Sequence, residues 1–561
     1  MIHMKNILNN KYSGITLTTL FGIIAFLFWR VFYPHALVYQ EQYQLFLFDS
    51  SYILERISLP GGVAAVIAEC LTQFYNHPTI GAIIQSLLLV GIQLMTWLLM
   101  KRNGQQGIQY ISSFIPALIL WYVLGDESVL TIYSWSLLLT LTAMLFHPQS
   151  SKASMIYTLI FIPIIYWVVG PLVLLYTLFV TIQSVKKKDY LIGIGVLPYA
   201  VSFIVLSSQW LPYPVHRLFT GLFYYRFVDI YPYWLMAVPV LCLLVTSFRI
   251  HPVLSIAPML LIPFGYDAKK YELMEYDYLI RRQQWDAIIA KAEKQQPDMP
   301  MSVCATNLAL GMKNQLGNRA FRFYQHGTEG LLPKFERDFT SALLTGEVYY
   351  HLGLVNTAQR HAFEAMEAIP NYNKSGRIVK RLAETNLING QYKVAEKYLR
   401  MLEKTVFYRT WAKDKLQLIA HEEQIDKHPL YGRMRQFRLQ EDFLFSDTEL
   451  DKIFGQLFMH NPKNQLAIQY LLIHPLLNKD IDSFMRYLIA VQEKVKYNPT
   501  VCQEGIIFAY TQRQQTVPEG FVNPTIQQSF KRFAQVYSQG GQNSPQLEAF
   551  KGTLWYYLMK E

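Results

Sequence analysis

Few residues in this 561-residue chain have the type and spacing to do chemistry. The first is Glu41, a lone acid inside Tyr39-Gln40-Glu41-Gln42-Tyr43. A carboxylate in such a place can serve as a general base or hold a divalent metal. The second candidate is the acid pair Asp126-Glu127. The third is a cationic set, His216, Arg217 and Arg226, interleaved with Trp210, Tyr213, Tyr224 and Tyr225. Guanidinium forks match phosphate oxygens, so this set is a candidate for a lipid phosphate, and the aromatics suit a headgroup or a sugar. The sequence contains no GxxxxGK[ST], no GxSxG and no HExxH. That removes the common motif-bearing nucleotide, esterase and zinc-protease classes. Cys70, Cys242, Cys304 and Cys502 form no CxxC pair and stand near no His pair at ligand spacing. No structural metal site is assigned. Free thiols are expected, with a Cys304–Cys502 disulfide left open.

The elements that must position these residues divide sharply. Apolar residues make up 52% of the chain and charged residues only 16%, against roughly 25% charged in soluble domains. Residues 1–265 carry 13 Lys/Arg and 8 Asp/Glu, whereas residues 266–561 carry 38 and 32. The break near Gly265-Tyr266 separates a half suited to lipid from a half suited to water. Apolar segments run over 14–32, 79–99, 107–124, 129–146, 154–169, 171–184, 191–206, 233–248 and 252–265. A straight span needs about 20 residues, so several are short. The pair around Gly170-Pro171 reads as a tight hairpin or as one kinked helix. The first segment follows Lys5 and Lys11 and lacks a small-residue cleavage site, which predicts a retained anchor.

Charge sets the expected topology. With the N-terminus in the cytoplasm and nine crossings, the inner loops hold nine cations: Lys5, Lys11, Lys101, Arg102, Lys152, Lys186, Lys187, Lys188 and Arg249. The outer loops hold four, Arg30, Arg56, Arg217 and Arg226, together with seven of the eight acids. This follows the positive-inside rule. It predicts a multi-pass protein of a bacterial cytoplasmic membrane with its C-terminal half in the periplasm. Two outer loops are large, 33–78 and 207–232. In the first, Tyr43–Phe48 and Val63–Tyr75 read as helices lying in the interface. Neither half has a polybasic block, so nucleic acid is not an expected partner.

The polar half reads as helical hairpins. Gly346, Tyr349, Ala358, Ala365 and Pro370 fall at the signature positions of a 34-residue tetratricopeptide unit. Turns at Gln283, Gly317, Gly353 and Gly390 recur at spacings of 34, 36 and 37 residues. The expected fold class is all-α: a bundle of about nine spans over 1–265, tetratricopeptide-like repeats over 266–415, and degenerate helical repeats over 416–561, including Asn478-Lys479-Asp480-Ile481-Asp482. Such arrays form an α-solenoid whose concave face takes peptides or protein surfaces, so a protein or peptide partner is expected here.

The layout of the first half resembles the GT-C class of membrane glycosyltransferases, which use polyprenyl-phosphate-linked sugars. The resemblance rests on the N-terminus inside, a large first outer loop of interfacial helices, an acid soon after the first span and a soluble outer tail. It covers about residues 10–265 and rests on no specific motif. It implies that Glu41 is the catalytic base or binds a divalent metal, that Asp126 and Glu127 support it, and that Arg217, Arg226 and His216 bind the lipid phosphate. The class pattern favours Asp with a second acid beside it, and Glu41 stands alone. The whole chain also resembles an uncharacterised family of Bacteroidota membrane proteins, polytopic with a repeat tail and known as a domain of unknown function, which implies no activity. Two functional expectations follow: a lipid-linked-sugar transferase, or a non-catalytic membrane scaffold that presents a binding solenoid to an envelope complex. A transporter fits less well, because no charged residue sits firmly mid-span.

Overall fold

The computed structural model describes residues 11–226, 232–334, 339–369, 373–439 and 449–560. Lys5, Asp229, Tyr231 and Pro370 lie outside the described residues. The fold is all-α: among the described residues only isolated β-bridges occur, Val129 with Tyr225 and His326 with Thr328, and no strand. The chain divides into two compact units. The first joins Met1–Tyr271 with the short segments Ile369–Arg377 and Met401–Trp411; the second holds Glu272–Ala368, Ile378–Arg400 and Ala412–Glu561.

In the first unit, four helical runs among the described residues are long and apolar enough to cross a membrane: Ser13–Phe32, Pro78–Arg102, Ser151–Lys186 and Tyr190–Ser207. Shorter apolar helices cover Gly107–Val123, Thr131–Phe146, Trp234–Ser247 and Pro252–Phe264. The run Ser151–Lys186 is broken by a tight turn at Gly170–Leu172, where Gly170 has φ +73°. Lys187 Nζ then donates to the Gln149 carbonyl at 2.8 Å. Both ends of the run therefore meet, and the chain reverses at Gly170-Pro171 as a hairpin.

The loops between these helices sort to two ends. At one end Asn103 donates to Thr246 O, Gln105 to Val245 O, Lys186 to Ser247 O, and Arg102 to the carbonyls of Met144, Leu145 and His147. These contacts gather Lys101, Arg102, Lys186 and Lys187. At the other end Tyr33 donates to Gly125 O, Gln40 to Val129 O, Gly61 N to Tyr166 O and Leu130 N to Tyr224 O. That end gathers Glu41, Glu69, Asp126 and Glu127. Arg102 and Lys186 thus lie at one end of the unit, and Glu41, Glu69, Asp126 and Glu127, together with Arg56 and Arg226, at the other.

The second unit is built of helical hairpins. Each turn uses a left-handed residue after the first helix: Gln283 (φ +53°), Asn314 (φ +56°), Gly353 (φ +97°), Gly390 (φ +75°), Lys479 (φ +59°) and Gln514 (φ +55°). This is the ordinary way to end a helix. One expected turn is displaced. The helix Pro300–Met312 ends at Asn314, three residues before Gly317, and Gly317 lies inside the one-turn helix Leu316–Arg319. There it packs under Tyr497 and Pro499, where a Cβ would come within 2.4 Å of the Tyr497 hydroxyl. Packing rather than turn chemistry explains that glycine.

The C-terminal helices fold back onto the earlier hairpins. Helix Gln465–Leu477 is buried from Leu466 to Leu477. Its Gln469 donates to Gly311 O at 3.1 Å and accepts from Leu316 N at 3.1 Å. Its neighbour Asn464 donates to Leu352 O at 2.8 Å and caps Ala467 N. Two side-chain amides thus satisfy carbonyls at the C-terminal ends of Pro300–Met312 and Phe339–Leu352, which helix geometry leaves without partners. Those two helices would face the groove of an open array. Here they are buried almost throughout. Leu472→Ala should cost about 2–5 kcal/mol through lost burial and a cavity. It should lower the guanidinium midpoint of the detergent-solubilised chain, followed by circular dichroism, while the exposed-site control Lys413→Ala leaves the midpoint in place.

Candidate functional site

The acid-rich end of the first unit is built on the chain between the first two long helices. A π-helical turn, Phe28–Phe32, ends the first, and Pro34 starts the short helix Pro34–Glu41. Glu41 is its last residue and is only 1% exposed. A turn at Gln42 and Tyr43 follows, and residues 44–48 form no helix, so the interfacial helix expected over 43–48 is not formed. Leu45 N donates to Lys374 O at 2.9 Å and Phe48 N to Lys404 O at 2.8 Å, both from the two short segments of the same unit. Arg377 Nη1 reaches Gln42 at 3.1 Å, and Lys404 pairs with Asp49. Asp49 also caps the helix Ser50–Ile57 through Ser51 N at 3.0 Å. The Lys404 bond holds its carboxyl well below the usual range, with Ser51 helping.

The structure brings three of the sequence-predicted groups into one neighbourhood. The Arg226 guanidinium lies 4.0 Å from the Tyr43 ring centre and donates to its hydroxyl at 2.8 Å, two residues from Glu41. Arg226 N donates to Ser128 O at 2.8 Å, which fixes it beside Asp126-Glu127. Asp126 accepts from Ser128 N at 2.9 Å and from the Tyr225 hydroxyl at 3.0 Å. Glu127 pairs with Lys270 at 3.3 Å. Gln40, next to Glu41, donates to Val129 O at 3.1 Å. Burial pushes the Tyr43 phenol well above its usual range, against the pull of Arg226. The other two candidates occupy the separate short helix Val215–Thr220. There Arg217 lies 5.6 Å from the Tyr213 ring centre, and His216 is exposed.

A fourth constellation was not singled out from the sequence. Arg56 Nε pairs with Glu69 Oε2 at 3.2 Å, and both side chains are buried. The Tyr52 hydroxyl donates to the same oxygen at 2.6 Å. Arg56 Nη2 donates to Asn373 Oδ1, and its guanidinium lies between the Tyr52 and Phe223 rings at 5.1 and 5.5 Å. Burial pushes the Glu69 carboxyl up, opposed by Arg56 and Tyr52. Glu69 Oε1 and both amide atoms of buried Gln44 have no hydrogen-bond partner among the described residues. One clue was present in the sequence: Glu69 interrupts an otherwise apolar helix, Gly62–Thr72, and a lone acid there must find a cation.

Among the described residues no group of three or more His, Cys, Asp or Glu converges as a metal-ligand set. All four cysteines are free, Cys304 and Cys502 included.

A model for a family of unknown function, DUF6057, matches residues 9–561. The chain belongs to that family. No curated protein and no solved structure matches it. The DUF6057 match spans both units, so the apolar helices, the acid-rich loops and the helical hairpins belong to one architecture rather than to a chance fusion.

Arg56→Ala strands Glu69 without its cation and should cost about 3–5 kcal/mol. The expected readout is a marked fall in thermal midpoint in detergent. The double variant Arg56→Met/Glu69→Leu should recover most of it, since replacing both partners with apolar side chains removes the uncompensated charge.

Proposed function

We propose that this protein is a multi-pass protein of the bacterial cytoplasmic membrane that transfers a sugar from a polyprenyl-phosphate donor, with the acid-rich loop end as its active site. One observation carries the reading. Glu41, Asp126-Glu127 and Arg226 lie far apart in sequence, and the bonds from Gln40 to Val129, Arg226 N to Ser128 and Arg226 to Tyr43 draw them into one end of one unit. Three short helices between the first two long ones, Pro34–Glu41, Ser50–Ile57 and Gly62–Thr72, suit an interfacial platform. The same layout underlies the resemblance to GT-C transferases.

The chemistry is a single displacement. The Glu41 carboxylate takes the proton of the acceptor hydroxyl. The acceptor oxygen attacks the sugar C1, the bond from C1 to the phosphate oxygen breaks, and that oxygen leaves with the electron pair. Arg226 neutralises the departing phosphate, since a guanidinium already stacked on an aromatic ring loses little freedom on binding. Asp126 and Glu127 hold Tyr225 and Lys270 in place around it. Arg217 and His216, on the exposed helix Val215–Thr220, meet the lipid phosphate as it enters. The scaffold alternative requires the hairpins to offer a groove. The burial of Pro300–Met312 and Phe339–Leu352 under Gln465–Leu477 favours the transferase over that alternative.

General-base catalysis contributes about 10²- to 10⁴-fold. Glu41→Gln keeps the size of the side chain and removes the basic carboxylate, so it should lower transfer from a radiolabelled polyprenyl-phosphate sugar by that factor while the protein inserts normally. Full activity in that variant sinks the assignment. The nine-crossing topology is tested separately. A cysteine placed at Lys152 should be labelled by a membrane-impermeant maleimide only after permeabilisation, and one at Lys413 in intact spheroplasts. Equal labelling at both sites before permeabilisation overturns it.

A further inference from the structure

The second unit contains a cavity of about 320 Å³, lined among others by Asn318, Arg322, Thr500, Glu504, Lys551 and Thr553. That is at the lower end of the roughly 300–1,000 Å³ typical of small-molecule sites. No step of the proposed transfer uses it. Its components come from distant parts of the chain and are held firmly. Asn318 Oδ1 accepts from Thr500 N at 3.0 Å and from Thr500 Oγ1 at 3.2 Å, which ties the helix Thr500–Gln512 to the one-turn helix Leu316–Arg319. Gly552, with φ +94°, lets the chain pass close to Arg322, where a Cβ would lie 3.4 Å from its Cα.

Glu504 lines the cavity and is 6% exposed. Its Oε2 accepts from Leu554 N at 2.8 Å, the one hydrogen bond to its carboxylate among the described residues. Capping the helix Leu554–Lys560 needs one acceptor atom, and a serine or asparagine would supply it without a buried charge. Burial pushes this carboxyl up to about 7, against the pull of Leu554 N–H and Arg322. The exposed side chains Arg322 and Lys551 carry the opposite charge at the lining. One acid and two cations thus line the same cavity, with Thr500 and Thr553 among its other polar residues.

We propose that this cavity binds a small zwitterion bearing a primary ammonium and a carboxylate, the ammonium on Glu504 and the carboxylate on Arg322 and Lys551. A free amino acid and the ends of a short peptide share that chemistry. The geometry of the cavity and the opposed charges carry the assignment, and it stands independently of the transferase reading.

Isothermal titration of the purified full chain in detergent tests it, with L-alanine and L-alanyl-L-alanine as probes. The tighter of the two names the source. N-acetyl-L-alanine, which lacks the ammonium, and L-alaninamide, which lacks the carboxylate, should each bind more weakly by roughly 10- to 100-fold, the worth of one charged hydrogen bond. Glu504→Gln keeps an acceptor for Leu554 N and should abolish the preference for the ammonium. Arg322→Ala, at an exposed position that leaves the fold intact, should abolish the preference for the carboxylate. Affinity should rise between pH 5 and pH 8, because the ammonium is met by an ionised Glu504 only above about 7. Absence of binding at millimolar probe overturns the proposal. So does equal binding of N-acetyl-L-alanine, or binding unchanged in both variants.

Discussion

A guanidinium and a carboxylate removed from water cost several kcal/mol each unless they face one another with their remaining hydrogen bonds met. The acid-rich end of the first unit is arranged around that constraint. Arg56 and Glu69 belong to two short helices, Ser50–Ile57 and Gly62–Thr72, and their pairing fixes the angle between them. The connecting turn must then be tight. Gly61 takes φ +79°, and a Cβ on Gly62 would fall 2.0 Å from the Arg56 carbonyl. The same guanidinium reaches Asn373, and Arg377 four residues on reaches Gln42. The stretch after Glu41 is therefore held on both sides. Arg226 on Tyr43 and Gln73 on the Gln44 carbonyl add to this hold, so Leu45 and Phe48 lie where they bond to Lys374 and Lys404.

A second constraint is steric. A Cβ on Gly125 would approach the Gly265 carbonyl to 2.3 Å, and one on Gly265 would approach the Tyr122 carbonyl to 2.3 Å. Two backbones pass here with no room for side chains. Composition places a break in the chain at Gly265-Tyr266, and the structure places a packing crossover there. The crossover sets Asp126-Glu127 directly beside Lys270 and Tyr271, so that Glu127 finds its cation and Tyr33 stacks on Tyr271 at 4.4 Å. Small residues and neighbouring charges thus fix one end of the unit together.

The helical class and the apolar character of the first half were legible because hydropathy is a local property of the chain. The hairpin turns at Gln283, Gly353 and Gly390 were legible for the same reason, since a residue that adopts positive φ marks a helix end. Gly317 misled because a glycine chosen for packing looks identical to one chosen for a turn. The convergence of Glu41, Asp126 and Arg226 could be guessed only from shared loop parity. Arg56 with Glu69, and Glu504 with its cavity, were not legible, because each depends on contacts across many residues. The burial of the inner helices under Gln465–Leu477 escaped as well. An open repeat array and a closed one share the same local pattern, and only the fully apolar run Leu471–Ile473 beside Leu476–Leu477 gave a trace of it.

Glu41 closes the last turn of Pro34–Glu41, at the negative end of the helix dipole, and is 1% exposed. Gln40 and Gln42 on either side show that an uncharged amide of the same size is accommodated in this segment, and each makes a hydrogen bond at 3.1 Å. The Arg226 guanidinium stacked two residues away on Tyr43, and the loop that carries Asp126-Glu127, share that neighbourhood, so residues distant in sequence meet at this helix end.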